Sequence, residues 1–319
     1  MSADGPNLDL ERSLVWMLGS PRSGSTWLLR LLVHPWGVGH AETVIERSRF
    51  RPRGPDVVPV NESYLAHHLA LLREGGSGPA GEPMLVNDLR RGHPSYFFSD
   101  AYRESWQPAL RRLVLQRLAA QRDRAIAAHG LGPDPTVLIK EPNGSHGSAH
   151  LAELLPRSRI IFLLRDGRDV VDSMVEADSP GGWRTRVEGV AELRTDSQRL
   201  AAIEREARLW LGRTIATERA CAMLGGDRAI TVRYEDLLAD TFGELRRLDD
   251  WLGLGRSPAT LRLAVRRHRF GSLRNRLRGR RMGVRAASPG LWRENLSNAE
   301  QATMGELIGP KLRELGYEA

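Results

Sequence analysis

The strongest constraint on the fold is a short apolar segment that runs into a glycine-rich turn and then into a helix. Residues 14–18 (LVWML) form an uninterrupted apolar run, which is typical of a strand buried on both faces. The turn from Gly19 to Thr26 matches the phosphate-binding pattern G-x-x-x-x-G-K-[ST], except that Ser25 replaces the lysine. Backbone N–H groups at such a helix start form an anion site. The turn therefore predicts phosphate binding without the triphosphate hydrolysis that requires the lysine.

The rest of the chain alternates apolar runs with helical patterns. Further strands are predicted at 137–140, 160–164 and 229–233. Helices are predicted at 24–33, 107–129, 145–155, 168–177, 200–224 and 235–253. This alternation predicts an α/β, three-layer P-loop-like fold with a central, mainly parallel sheet flanked by helices. Ligands of such sheets bind beyond the carboxyl ends of the strands.

Domain organisation follows from where the informative segments fall. They extend over residues 13–292, which predicts a single domain spanning 1–319. Two stretches rich in proline and glycine, 51–61 and 74–83, are predicted to be loops.

Composition narrows the setting and the chemistry. No run of 18 apolar residues is present, which predicts no membrane span. The acidic first dozen residues lack the pattern of a secretory signal. Cys221 is the only cysteine, so an internal disulfide and a thiolate metal cluster are excluded. A cytoplasmic protein without a bound metal is expected. The net charge is +8, yet Lys140 and Lys311 are the only lysines, which draws attention to each of them.

A second candidate phosphate element follows the strand at 160–164. Arg165 stands where that strand ends, and Ser173 falls in the early turns of the next helix. Both side chains can point into the space above the sheet, where the first turn also opens. A guanidinium fork with a hydroxyl suits a phosphate monoester, since arginine binds such groups bidentately.

Together, P-R-S-G-S-T-W at 21–27 and R-x7-S at 165–173 resemble the two cofactor signatures of sulfotransferases that use 3′-phosphoadenosine 5′-phosphosulfate (PAPS). The resemblance implies that the first element holds the 5′-phosphosulfate and the second the 3′-phosphate. The cofactor-binding residues it implies are Arg22, Ser23, Gly24, Ser25, Thr26, Trp27, Arg165 and Ser173. Cytosolic members of the family have lysine at the position of Arg22. The Golgi tyrosylprotein type has arginine there, as this chain does. The arginine-rich composition suggests a bacterial member.

Two later segments extend the resemblance. Tyr234 begins a Y-E-D-L segment whose tyrosine lies near the adenine in the family, although a packing role at the strand end is an alternative. Residues 285–292 are similar to the lid motif R-K-G-x-x-G-x-W, which implies Arg285 as a 3′-phosphate ligand. Residues 266–285 contain nine arginines, for which three interpretations are open. In order of preference, the segment is a lid that reaches to residue 290, a patch that binds polyanions, or a solvated surface segment. Phe270 is the only aromatic residue among these arginines, so a nucleic-acid partner is not expected.

The resemblance also implies catalytic residues. The segment from His34 to Thr43 is similar to H-P-x(5)-G-E-E-T, which assigns Glu42 as general base. Alternatively, Glu42 is a surface carboxylate without a catalytic role. Glu46, one helical turn later, is a competing candidate for the general base. Lys140 begins a K-E-P segment similar to K-D-P, whose lysine contacts the transferring sulfuryl group and the leaving phosphate; the alternative is a solvent-facing lysine.

The resemblance thus implies a PAPS-dependent sulfotransferase. Its acceptor is expected to be a hydroxyl of a small molecule, glycolipid or saccharide. A P-loop kinase and a non-catalytic protein that binds 3′-phosphoadenosine 5′-phosphate (PAP) or polyanions are the alternatives. The kinase is disfavoured because Ser25 replaces its lysine.

Overall fold

Five parallel strands form one central sheet. The computed structural model describes residues 5–33, 57–74, 92–269 and 289–318. Within these ranges the strands are β1 (Leu14–Gly19), β2 (Val57–Asn61), β3 (Thr136–Lys140), β4 (Arg159–Leu164) and β5 (Ala229–Arg233). Their order is β2-β3-β1-β4-β5, and every neighbouring pair is parallel. The predicted parallel sheet is confirmed, with β1 at its centre.

One strand lies where a loop was predicted. Residues 57–61 belong to β2 and pair with β3, so the loop prediction for 51–61 is wrong over its second half. The prediction failed at Pro59, because proline has no N–H to donate to a neighbouring strand. Among the described strands β2 has β3 as its only neighbour and so lies at an edge, which is where a sheet tolerates proline. Residues 51–56 lie outside the described part of the chain, as do 75–83 of the other predicted loop.

Helices connect and cover the strands. They are α1 (Gly5–Ser13), α2 (Ser25–Val33), α3 (Leu65–Glu74), α4 (Arg103–His129), α5 (Ser148–Leu154), α6 (Gly167–Asp178), α7 (Trp183–Val187), α8 (Asp196–Leu224), α9 (Tyr234–Ala239), α10 (Thr241–Leu252), α11 (Pro258–Arg267), α12 (Trp292–Asn295) and α13 (Asn298–Glu314). Short 3-10 turns occupy Asp100–Tyr102 and Pro142–Gly147. The helix predicted over 235–253 is two helices, since the Asp240 side chain accepts a hydrogen bond from the Gly243 N–H and starts α10.

The alternation of side chains along β1 builds two cores. Leu14, Trp16 and Leu18 pack on one face, against helices that include α4, α5, α8 and α13. Val15 and Met17 pack on the other, against α2, α9, α10 and α11. All six residues of β1 are buried, as expected for a strand covered on both sides. The three-layer prediction is confirmed. In the described ranges, no helix combines the length and apolarity needed to cross a membrane.

Candidate functional site

The site lies at the carboxyl edge of the sheet, where β1 is flanked by β3 on one side and β4 on the other. After β1 the chain continues to β2, beyond β3, whereas after β3 it continues to β4, on the other side of β1. Connections that diverge in this way open a crevice above the strand ends. The glycine-rich turn leaves β1 at this point, between the last residues of β3 and β4, Lys140 and Leu164. The elements predicted to bind ligand therefore converge on one edge.

The glycine-rich turn has a backbone that most side chains would not permit. Arg22 and Gly24 have φ angles of 70° and 89°, in the left-handed region. A Cβ atom at Gly24 would lie 2.7 Å from the Tyr234 ring. The turn ends at α2, where the Trp27 and Leu28 N–H groups donate to the Gly24 carbonyl at 2.9 and 3.0 Å. The Ser23 hydroxyl is buried with no hydrogen-bond partner among the described residues, so it has bonding capacity left for a ligand.

The second predicted element touches the first. Arg22 Nε donates to Ser173 Oγ at 2.9 Å, and Arg165 Nη1 donates to the Arg22 carbonyl at 2.8 Å. Burial lowers the pKa of Arg22, and the positive charge of Arg165 lowers it further. The two positive charges repel one another, and the charge of Glu176 acts on Arg22 in the opposite direction. A bound dianion would offset the repulsion, so the arrangement suits a phosphate group.

Tyr234 fills the space between the two elements. The side chain is 1% exposed, and its ring lies 4.5 Å from the Arg165 guanidinium carbon and meets Trp27 edge-on at 6.1 Å. Burial raises the pKa of Tyr234 to about 12. The structure therefore gives this tyrosine a packing role under the turn. Its place beside an adenine stays a prediction.

Lys140 is held by a neighbour that the sequence did not single out. Asn61 pairs with Lys140 in the β2–β3 register, and the Glu62 N–H continues the ladder to the Lys140 carbonyl at 2.8 Å. Lys140 Nζ consequently donates to Glu62 Oε1 at 2.8 Å and to Asn61 Oδ1 at 2.9 Å. Asn143 Nδ2 donates to the other oxygen of Glu62 at 3.1 Å. Lys140 is 6% exposed, so the solvent-facing reading is wrong.

Glu62 itself has a φ of 52°, a conformation that costs a non-glycine residue about 1–3 kcal/mol and that concentrates at functional sites. The signal in the sequence is a carboxylate two positions after the segment VVPV at 57–60. Pro59 interrupts that segment, so the sequence did not predict a strand before Glu62.

Several predicted residues lie outside the described part of the chain. They are Glu42, Glu46, Arg285 and residues 270–288 of the predicted lid. The residues that follow this segment are described, and they pack against α6, the helix that carries Ser173. The Gly290 N–H donates to both Asp169 carboxylate oxygens at 3.0 Å, and the Trp292 ring lies 4.5 Å from the Arg168 guanidinium carbon. The end of the predicted lid motif is thus anchored beside the second phosphate element.

His268 lies on the α2 side of the turn, where its main-chain carbonyl accepts a hydrogen bond from Trp27 Nε1 at 3.0 Å. Burial lowers the pKa of His268 to about 4, and the charges of Arg30 and Arg267 act in the same direction. The unfolded chain takes up this proton near pH 6.5, whereas the folded chain does not until about pH 4. We expect the free energy of unfolding to fall as the pH drops through this window. Urea unfolding at pH 7 and pH 5 should show a smaller loss in His268→Asn than in the parent; equal losses would contradict the assignment.

Comparison with known proteins decides the family. The model of a family described as "Sulfotransferase family" matches residues 15–258. The chain belongs to the sulfotransferase family. The mouse sulfotransferase SULT7A1, whose structure was determined in complex with PAP, has the same fold at a TM-score of 0.53 and 12% identity, over 98% of this chain and 91% of that one. The sulfotransferase STF9 from Mycobacterium avium is similar at a TM-score of 0.48 and 16% identity, over 99% and 80% of the two chains.

Within residues 5–33, 57–74, 92–269 and 289–318, no group of three or more histidine, cysteine, aspartate or glutamate side chains is arranged to hold a metal ion.

Proposed function

We propose that this sulfotransferase uses PAPS to place a sulfuryl group on an acceptor hydroxyl and releases PAP. The contact that supports this most directly is the one between the Arg22 turn and the Arg165–Ser173 pair. The donor nucleotide carries phosphate groups at both ends of its ribose, so it needs two anion sites facing one crevice. The buried, unpartnered oxygen of Ser23 and nitrogen Nε of Arg165 fit such a ligand.

Each element has a proposed task. The N–H groups and hydroxyls of Ser23, Ser25 and Thr26 bind the 5′-phosphosulfate, at the positive end of α2. Arg165 and Ser173 bind the 3′-phosphate, and Arg22 connects the two groups through its bond to Ser173. Trp27, Tyr234 and Arg285 complete the cofactor-binding set, the last from its motif alone.

The reaction forms a bond from the acceptor oxygen to sulfur and breaks the bond from sulfur to the leaving phosphate oxygen. The acceptor loses a proton, and the leaving phosphate gains negative charge. Lys140 supplies the ammonium group that neutralises the charge on the leaving phosphate. It is buried at the carboxyl end of β3, the strand beside β1, where the glycine-rich turn begins. A carboxylate takes the proton. Among the described residues we assign this role to Glu62, which contacts Lys140 directly. Glu42, assigned from its motif, stays the competing candidate.

The acceptor is proposed to be a hydroxyl of a small molecule, glycolipid or saccharide. A cytoplasmic location and a bacterial origin remain predictions from composition.

PAP binding tests the proposal. At 100 times its dissociation constant, PAP should raise the free energy of unfolding by about 2.7 kcal/mol. Magnesium ATP at the same concentration should add little, because Ser25 stands in place of the lysine that contacts outer phosphates. Thermal and urea unfolding with each ligand measures both effects. Arg165→Met should abolish the PAP effect, and Arg219→Met, on an exposed position of α8, should preserve it. Stabilisation by ATP equal to that by PAP would favour a kinase.

A further inference from the structure

Arg213 lies on the face of α8 that is turned toward the carboxyl edge of the sheet. Three residues before it, Trp210 Nε1 donates to the Arg165 carbonyl at 3.2 Å. Four residues after it, Thr217 Oγ1 accepts from Ser148 Oγ at 3.4 Å. Residues at this spacing share one helix face. Arg213 therefore lies between the end of β4 and the segment that follows β3.

The guanidinium of Arg213 has donors that the protein does not use. Its Nε is buried, and within the described ranges the side chain forms no hydrogen bond or ion pair. Burial lowers the pKa of Arg213, while the charges of Glu206 and Glu62 raise it. Arg213 as a whole is half-buried. A buried N–H without an acceptor costs free energy, so Nε has hydrogen-bonding capacity left for a ligand.

Neither nearby carboxylate is devoted to Arg213. Glu62 already accepts from Lys140 and Asn143, and Glu206 accepts from Arg205 Nε at 3.2 Å. Other arginines with a buried, unpartnered nitrogen are satisfied through their remaining donors. Arg159 donates to the carbonyls of Trp251 and Leu252, and Arg256 pairs with Asp249. Arg213 thus differs from the structural arginines of this chain.

The position of Arg213 separates it from the 3′-phosphate element. Burial lowers the pKa of His67 on α3, and the charges of His68 and Arg213 lower it further, while the charge of Glu62 raises the pKa of Arg213. These residues lie on the β2 side of the crevice, whereas Arg165 and Ser173 follow β4. Ser148, which contacts the Arg213 face of α8 through Thr217, directly follows the 3-10 turn that carries Asn143, and Asn143 donates to Glu62. An anion at Arg213 would therefore lie on the same side of the crevice as the Lys140–Glu62 pair.

We infer that Arg213 binds an oxyanion next to the Lys140–Glu62 pair, on the side of the crevice away from the 3′-phosphate. The group is the sulfuryl group being transferred or an acidic group of the acceptor; both present a pair of oxygens that the two parallel N–H donors of a guanidinium can match. This inference rests on the proposed function, because it takes the crevice to be a sulfuryl-transfer site.

Inorganic sulfate is the probe. With PAP saturating both phosphate sites, sulfate titrated calorimetrically should bind the parent protein at one site. Arg213→Gln should weaken that binding at least about tenfold, a loss of about 1.4 kcal/mol. Arg213→Lys, which keeps the charge without the fork, should fall between the two. Arg219→Gln, on an exposed position of the same helix, should bind sulfate like the parent. Thermal unfolding of each variant establishes that it is folded.

A second measurement identifies the source of the anion. If Arg213 holds the transferring sulfuryl group, Arg213→Gln weakens PAPS binding and leaves PAP binding unchanged. If it holds an acidic group of the acceptor, both affinities are unchanged and only the competition of sulfate with acceptor is lost. No sulfate site in the PAP-bound parent, or equal sulfate binding by parent and folded Arg213→Gln, would overturn the inference and leave Arg213 as a counter-charge for Glu62 and Glu206. A parent that binds no PAP would instead refute the proposed function.

Discussion

Glu62→Gln is expected to lower kcat by about 10²–10⁴-fold, the usual contribution of a general base, while PAP affinity stays unchanged. Glutamine keeps the shape of the side chain and one oxygen to accept the hydrogen bond of Lys140, while its amide nitrogen replaces the oxygen that accepts from Asn143. It cannot take the acceptor proton. Since Glu62 does not contact the Arg22 turn or the Arg165–Ser173 pair through any described hydrogen bond, the cofactor site should be intact. Turnover of PAPS to PAP and calorimetric PAP binding measure the two quantities separately.

The same assay separates the competing carboxylates. Glu42→Gln and Glu46→Gln should retain most of the parent turnover if Glu62 is the base. Glu306→Gln, on an exposed position of α13, controls for the loss of one surface charge. A large loss in Glu42→Gln with near-normal turnover in Glu62→Gln would return the role to the residue that the motif indicates. Losses in both would assign one carboxylate to the proton and the other to holding Lys140.

The sequence could predict the sheet because its strands are buried on both faces. Four strands were predicted from continuous apolar runs at 14–18, 137–140, 160–164 and 229–233. The bounds of the observed strands differ from these predicted bounds by at most one residue. β2 failed for a physical reason. Edge strands need fewer ladder bonds, so they accept residues such as Pro59 that remove the pattern by which a strand is recognised.

The cofactor elements were predictable in kind, and their contact was not. Backbone N–H donors at a helix start, and an arginine at a strand end, follow from local sequence. That Arg22 Nε reaches Ser173 across 151 positions of the chain depends on β1 and β4 being neighbours. Local patterns do not fix strand order, so this bond had to be observed.

The Lys140–Glu62 pair shows the same limit more sharply. Lys140 drew attention as one of two lysines, but its partner is set by the β2–β3 register, in which Asn61 stands opposite Lys140. A shift of one residue would turn Asn61 to the other face of the sheet. Register between strands separated by 79 positions is a property of the folded sheet. Glu62 could therefore be assigned only from the structure.

Gly24→Ala is expected to lower PAP affinity at least about 100-fold, or about 2.7 kcal/mol. The φ of 89° already disfavours alanine. In addition, the new Cβ would lie 2.7 Å from the Tyr234 ring, which is far inside van der Waals contact. The ring cannot yield easily, since it is 1% exposed and lies between Trp27 and the Arg165 guanidinium. Moving it shifts Arg165, whose bond to the Arg22 carbonyl joins the two anion elements.

The matched control for this substitution is Gly212→Ala in α8, where an added Cβ meets nothing within 4 Å. That change should stabilise the fold by up to about 1 kcal/mol, because alanine is the better helix former, and should leave PAP binding as it is. Urea unfolding and PAP titration on both variants give the comparison. Gly24→Ala that binds PAP as tightly as the parent would mean that the turn does not contact the nucleotide. A loss of affinity confined to Gly24→Ala, in a variant that still unfolds cooperatively, is the result that a phosphate-binding turn requires, because the added methyl group acts on Tyr234 and through it on both anion elements at once.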